Sequence, residues 1–211
     1  MMDAVTLEKT DKRRQLLEVA ESLFAQHGFE AVSVRHLAAE ARINVAMVKY
    51  YFGSKDKLFE ALIADKFPRT REQLDDLART PLSPWEKLVR SVDMYAEKFF
   101  RGRNFHKVVM REMSLCQRPE HLKTINEQMA HNLDVVRGFI LEGQEKGIFR
   151  TVDVELTLAT VFGALSAFIS HGGLMCLMLQ AEAEDDVYTE AVQVRLADHL
   201  KALLRTHLLI E

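Results

Sequence analysis

The chain has 211 residues, enough for one large domain or for a small domain and a larger one, each able to bury an apolar core. Four prolines and nine glycines, set in a background rich in Leu, Ala, Glu, Lys and Arg, read as all-α. A formal net charge of −3 excludes nucleic-acid binding through a global basic field, so any such contact must rest on a local patch.

In chain order, the charged start, Met1 to Arg14, has no signal-peptide core. A helix is predicted from about Asp11 to His27, because Leu16, Leu17, Ala20, Leu23 and Phe24 recur at helical spacing. Gly28 stands where a left-handed cap ends it. Ser33 caps a second helix whose apolar face is Val34, Leu37, Ala38 and Ala41, and Asn44 caps a third over Val45 to Tyr51. Ser54 caps a fourth, led inward by Leu58, Phe59 and Leu62 and fading before Pro68. Residues 10–67 therefore form one compact helical unit and 68–211 a second helical body. The loop Thr80-Pro81-Leu82-Ser83-Pro84 falls near that boundary. The second body holds helices over 85–101, 105–116, 120–146, 154–179 and 187–209.

Short helices joined by a turn of a few residues serve to place the second one in the DNA major groove. In the third helix Val48 and Phe52 point inward, which leaves Ala46, Met47, Lys49 and Tyr50 outward. Lys49 and the tyrosine hydroxyls suit phosphates, Val45, Ala46 and Met47 suit thymine methyls, and Arg35 suits a guanine or a phosphate. Lys55, at a helix start, suits a further phosphate.

The stretch from residue 12 to 66 resembles the amino-terminal signature of the tetracycline-repressor (TetR/AcrR) family of bacterial transcription regulators. The residues that carry it are Leu16-Leu17, Ala20, Leu23-Phe24 and Gly28-Phe29, then Ser33-Val34-Arg35, Leu37-Ala38 and Ala41. Val48, Tyr50-Tyr51-Phe52-Gly53-Ser54-Lys55 and Leu58 close the match. By position, Ser33, Arg35, Asn44, Val45, Ala46, Met47, Lys49, Tyr50 and Lys55 correspond to the family's DNA-contacting residues. Two departures stand out: Arg42 occupies a turn position where the family has glycine, and Lys49 replaces the commonest tyrosine of the recognition helix.

The resemblance further implies a cytoplasmic homodimeric repressor, with no cofactor, metal or catalytic residue, released from operator DNA by a small effector. Dimerisation is expected through the last two helices. There Ala159, Gly163, Ser166 or Ala167, and Ser170 form a small-residue stripe, and Val187, Ala191, Val194, Leu200, Leu203 and Leu204 supply apolar surface. A largely apolar effector is expected among Met94, Tyr95, Phe99, Phe105, His106, Met110, Met113, Phe139, Phe162, Phe168, His171 and Met175. Helix 105–116, displaced by ligand, would push on the fourth helix. Cys116 and Cys176, far apart, suit a reducing compartment rather than a disulfide framework. The histidines lack metal spacing, and Glu127 with His131, four apart and unrepeated, does not make a di-iron bundle. An alternative to the untethered dimer, with no membrane contact, is a regulator anchored by residues 156–180, which contain no Asp, Glu, Lys or Arg.

Overall fold

The protein is described by a computed structural model covering residues 4–210; Met1–Asp3, part of the charged start, and Glu211 lie outside the described residues. The elements are α1 (Ala4–His27), α2 (Val34–Glu40), α3 (Val45–Phe52), α4 (Lys55–Arg79), α5 (Pro84–Arg101), α6 (Arg103–Leu115) and α7 (Pro119–Glu145). They continue with α8 (Val154–Ser170), α9 (Gly172–Leu179), a 3-10 turn (Glu184–Tyr188) and α10 (Glu190–Leu208). No strand occurs among the described residues, only a single antiparallel bridge between Phe149 and Leu209. The fold is all-α.

Packing divides the chain into two compact units. One holds the chain up to Pro68 together with Lys107–Gln128; the other holds Arg69–His106 and the chain from Met129 onward. The division differs from a single cut at 67/68, because most of α6 and the first turns of α7 pack with the amino-terminal helices. Helices α4, α6 and α7 each contribute residues to both units.

The first unit is built on the periodic apolar residues. Leu16, Leu17, Ala20, Leu23 and Phe24 of α1 are buried with Leu37 and Ala38 of α2, Val48 and Phe52 of α3, and Leu58, Phe59, Leu62 and Ile63 of α4. Phe24, Phe29 and Phe59 form a triangle of rings, with centroids 5.2 Å (Phe24–Phe29), 6.4 Å (Phe24–Phe59) and 5.7 Å (Phe29–Phe59) apart. Helix α4 does not stop before Pro68; it runs through it to Arg79. Proline removes one backbone hydrogen bond and presses on the preceding turn, a loss of about 3 kcal/mol. Buried Leu62 and Ile63 before it, and buried Leu74 after it, hold the helix together.

In the second unit a capping box starts α5: Ser83 accepts from the Glu86 N–H while the Glu86 carboxylate accepts from the Ser83 N–H. The core gathers Leu88, Val92, Ala96 and Phe99 of α5, Val136 and Ile140 of α7, Leu165 and Ile169 of α8, and Leu196, Leu200, Leu204 and Leu208 of α10. The expected single helix over 154–179 is two helices, α8 and α9, meeting at 99°. His171 leaves the helical conformation at φ −132° and ψ 47°. Gly172 then packs so tightly that a Cβ there would lie 2.7 Å from a Glu184 carboxylate oxygen and 2.9 Å from the Tyr188 hydroxyl. No single helix among the described residues is long and apolar enough to cross a membrane. The predicted last helix also starts later: 184–188 is a 3-10 turn, and Thr189 caps α10 by accepting from the Val192 N–H.

Candidate nucleic-acid interface and effector-binding unit

Helices α2 and α3 are held in place by their caps. Ser33 Oγ accepts from the His36 N–H at 3.1 Å, and Asn44 Oδ1 accepts from the Ala46 N–H at 2.9 Å. Between them Arg42 itself adopts the left-handed conformation, φ 53°, so the turn closes without glycine. Its neighbours are fixed by Arg42 N–H to Ala39 O at 3.1 Å and Ile43 N–H to Ala38 O at 3.0 Å. These bonds outweigh the roughly 1 kcal/mol that a side chain pays in this region.

With Val48 and Phe52 buried, α3 turns Ala46, Lys49 and Tyr50 outward, and Tyr50 is 65% exposed. Ser33, Arg35 and Asn44 are exposed as well, while Val45 and Met47 are half-buried. Arg35, Arg42 and Lys49 make no ion pair among the described residues, so this face carries uncompensated positive charge despite the net negative chain. Arg42, marked in the sequence only as a departure from glycine, is exposed in the turn and adds a cation beside α3. Lys55 is placed differently. Its ammonium donates to the Phe29 carbonyl at 2.9 Å and lies 4.2 Å from the Phe29 ring centroid, and partial burial lowers its pKa against the pull of Asp56 and Glu112.

A buried polar cluster, not anticipated from sequence, joins the α6–α7 turn to the rest of the first unit. Glu112, 4% exposed, accepts from Arg118 at 3.1 Å and lies 3.0 Å from His121 Nδ1. Arg118 also pairs with Glu30 and covers the Phe29 ring. His121 stacks on Phe59 at 4.0 Å, meets Phe29 edge-on at 4.7 Å, and has its Nε2 3.3 Å from Asp56. At Gly28 (φ 82°) a Cβ would come within 2.7 Å of the Arg111 guanidinium, so α6 also closes on the end of α1. No group of residues suited to a metal ion occurs among the described residues.

The expected effector residues divide between the units. Met110 and Met113 fall in the first; the other ten fall in the second. There, Phe99, Phe105, Phe139 and Met175 are buried, and Met94, Tyr95, Phe162 and Phe168 are half-buried against the core. Phe99 stacks on His106 at 3.9 Å and meets Phe162 edge-on at 6.1 Å. Burial drives the His106 pKa down to about 4, helped by the charge on Lys98, and pushes the Tyr95 hydroxyl up. His171 is exposed at the α8–α9 break.

The second unit also presents an apolar face. Leu156 and Leu203 are 66% and 49% exposed, and Leu156, Thr160, Val161, Leu200, Leu203 and His207 help line a groove of about 380 Å³ between α8 and α10. Ala159, Gly163 and Ser170 of the small-residue stripe are exposed, with Ser166 and Ala167 half-buried. Of the apolar residues expected beside them, Val194, Leu203 and Ala191 are exposed, whereas Val187, Leu200 and Leu204 are buried.

A capped helix pair with a cation-bearing outer face, followed by a second helical unit, defines a helix-turn-helix transcription regulator. Residues 16–62 match the profile of the bacterial regulatory proteins of the TetR family, and residues 81–170 match that of the tetracyclin repressor-like C-terminal domain. The chain belongs to the TetR family. It is 22% identical over 165 residues to the fatty acid metabolism regulator protein of Bacillus subtilis, spanning 77% of this chain and 84% of that one. Among solved structures it is similar to FadR from Bacillus subtilis in complex with stearoyl-CoA (TM-score 0.69, 20% identity, 90% of this chain and 96% of that one). It is similar also to the ketosteroid transcriptional regulator of Mycobacterium tuberculosis (TM-score 0.74, 19% identity, 94% of this chain and 95% of that one). These relatives are regulators, a class distinct from enzymes.

Proposed function

We propose that the chain acts in the cytoplasm as a homodimeric repressor, released from its operator by a small, largely apolar effector. The observation that carries the reading is the outer face of α2 and α3, where Arg35, Lys49 and Tyr50 stand exposed on a rigid, capped scaffold. Ser33, Asn44, Val45, Ala46 and Met47 complete the surface offered to DNA; Lys55, committed to Phe29, contributes mainly by fixing the start of α4.

The dimer reading rests on the exposed leucines and small residues of α8 and α10. An apolar face of this kind is covered by a second copy in a two-fold, four-helix arrangement. The effector reading rests on the half-buried aromatic and Met residues of the second unit and on the likeness to a regulator bound to stearoyl-CoA and to a ketosteroid regulator. Part of α6 packs with the HTH helices and its first residues with the second unit, so ligand-driven movement of α6 has a route to α4.

The test is selection of bound sequences from random DNA, followed by footprinting and ultracentrifugation of the purified protein. A dimer protecting two half-sites about one helical turn apart supports the reading. A monomer with no sequence preference overturns it.

A further inference from the structure

His121, in the first turn of α7, is 1% exposed and lies between two carboxylates of the first unit. Its Nδ1 is 3.0 Å from Glu112 Oε2 of α6, and its Nε2 is 3.3 Å from Asp56 Oδ1 in the first turn of α4. The second approach is close enough for an ion pair but off the line of a hydrogen bond, which leaves Nε2 a buried nitrogen without a hydrogen-bond partner. Two rings fix the plane of the imidazole: it stacks on Phe59 with planes 13° apart, and Phe29 meets it edge-on at 86°.

A neutral imidazole has one N–H and one bare nitrogen, whereas the imidazolium has two N–H groups. Glu112 accepts from Arg118, so the first ring proton belongs on Nδ1, where it meets the same carboxylate. A bare Nε2 then sets its lone pair against the Asp56 carboxylate, and a second proton turns that contact into an attraction. The cations packed around the ring have acceptors of their own or lie outward. Arg118 pairs with Glu30 as well as Glu112, Lys55 of α4 donates to the Phe29 carbonyl, and Arg111 of α6 is exposed beside Gly28. On α7 itself Glu120 is exposed, and Lys123 pairs with Glu127.

We propose that His121 is a positioning residue that ties α6 to the start of α4 according to its charge: with two protons it holds both Glu112 and Asp56, and with one it keeps Glu112 and releases Asp56. Histidine is the side chain whose charge changes between about pH 5 and 8. Asp56, its side chain 61% exposed, can swing into water when the second proton leaves; Glu112, buried, cannot. Asp56 follows Ser54, whose Oγ caps α4, and that cap follows directly on Phe52 and Gly53 at the end of α3. The tie therefore acts at the join between the recognition helix and α4. This deepens the reading of the chain as a DNA-binding regulator, on which its functional consequence rests, by naming a group through which α6 bears on α4.

The full-length protein, labelled with nitrogen-15 at histidine, is followed by NMR of the ring nitrogens from about pH 5.5 to about pH 8 without DNA. The His121 signals are assigned by their loss in His121→Gln or, where that variant does not fold, by their contacts with the Phe59 ring. Two protonated nitrogens at the acid end and a single proton on Nδ1 at the alkaline end are expected, with the change moved toward acid pH in Asp56→Asn. A ring that keeps one charge state throughout, carries its lone proton on Nε2, or ignores Asp56→Asn overturns the proposal. On a duplex selected from random DNA, the wild type is expected to lose about three- to fivefold more affinity than Asp56→Asn between about pH 6 and about pH 8. Equal or reversed profiles overturn the tie and leave the DNA-binding reading standing. If no duplex is selected, that reading falls, and the ring titration still decides the tie.

Discussion

The ammonium of Lys55 is bound to the carbonyl of Phe29 at 2.9 Å and lies over that residue's ring, so this half-buried lysine, proposed to face DNA, is tied to its own chain. Lys49, on the outer face of α3, has no such tie. The two lysines should therefore separate by experiment. Lys49→Ala is expected to weaken DNA binding and to reduce the slope of log affinity against log salt by about one, with the melting temperature unchanged. Lys55→Ala is expected to destabilise the fold by about 1–2 kcal/mol through loss of the hydrogen bond and cation–π contact. Salt-dependent anisotropy titrations beside thermal melts check both.

Arg42, at φ 53°, occupies backbone space that glycine enters without strain. Arg42→Gly should raise stability by up to about 1 kcal/mol, visible as a higher denaturant midpoint. Removal of its exposed charge should weaken DNA binding at the same time, so stability and affinity move in opposite directions.

Gly163 meets nothing within 4 Å, so the chain has room there for a larger residue. Gly163→Leu should leave the helical content and monomer fold intact and, in the proposed dimer, overpack the α8 seam between copies. Sedimentation is expected to show monomers that have lost operator affinity. An undisturbed dimer would place the interface on another face.

Glu112 is buried and joined to both Arg118 and His121. Glu112→Ala leaves a largely buried guanidinium without that carboxylate, and a loss of about 3 kcal/mol is expected by chemical denaturation. Exchange protection at the start of α7 and in the 28–32 loop should fall together, because Arg118 also holds Glu30 and covers Phe29.

The His106 pKa in the folded protein is about 4, below the usual value of 6.5 for the free ring, so the unfolded chain binds the proton more readily between those limits. Stability from the neutral, buried ring is complete above about pH 6.5 and is lost as pH falls toward 4, by about 3 kcal/mol at most. Wild type minus His106→Phe, measured across that range, should show the loss; parallel pH profiles would mean the ring titrates normally.

Much of the amino-terminal unit was legible in the chain because its signals are local. Ser33, Asn44, Ser54 and Gly28 act within one helical turn, and the periodic burial of Leu16, Ala20, Leu37, Val48 and Phe52 needs only helical geometry. What depended on distant partners was not legible. Pro68 reads as a stop, and only the buried residues on either side carry α4 through it. The uncharged run 156–180 reads as one helix, and the packing of Glu184 and Tyr188 against Gly172 accompanies its break into α8 and α9. Glu112, Arg118 and His121 sit near one another in sequence, but Glu30, Phe29, Asp56 and Phe59 come to them only through folding. Helix type and cap were thus decided by neighbours a few residues apart. The commitment of Lys55, the burial of Tyr95 and His106, and the sharing of α6 between units were decided by tertiary packing, which brings together groups that sequence spacing leaves unrelated.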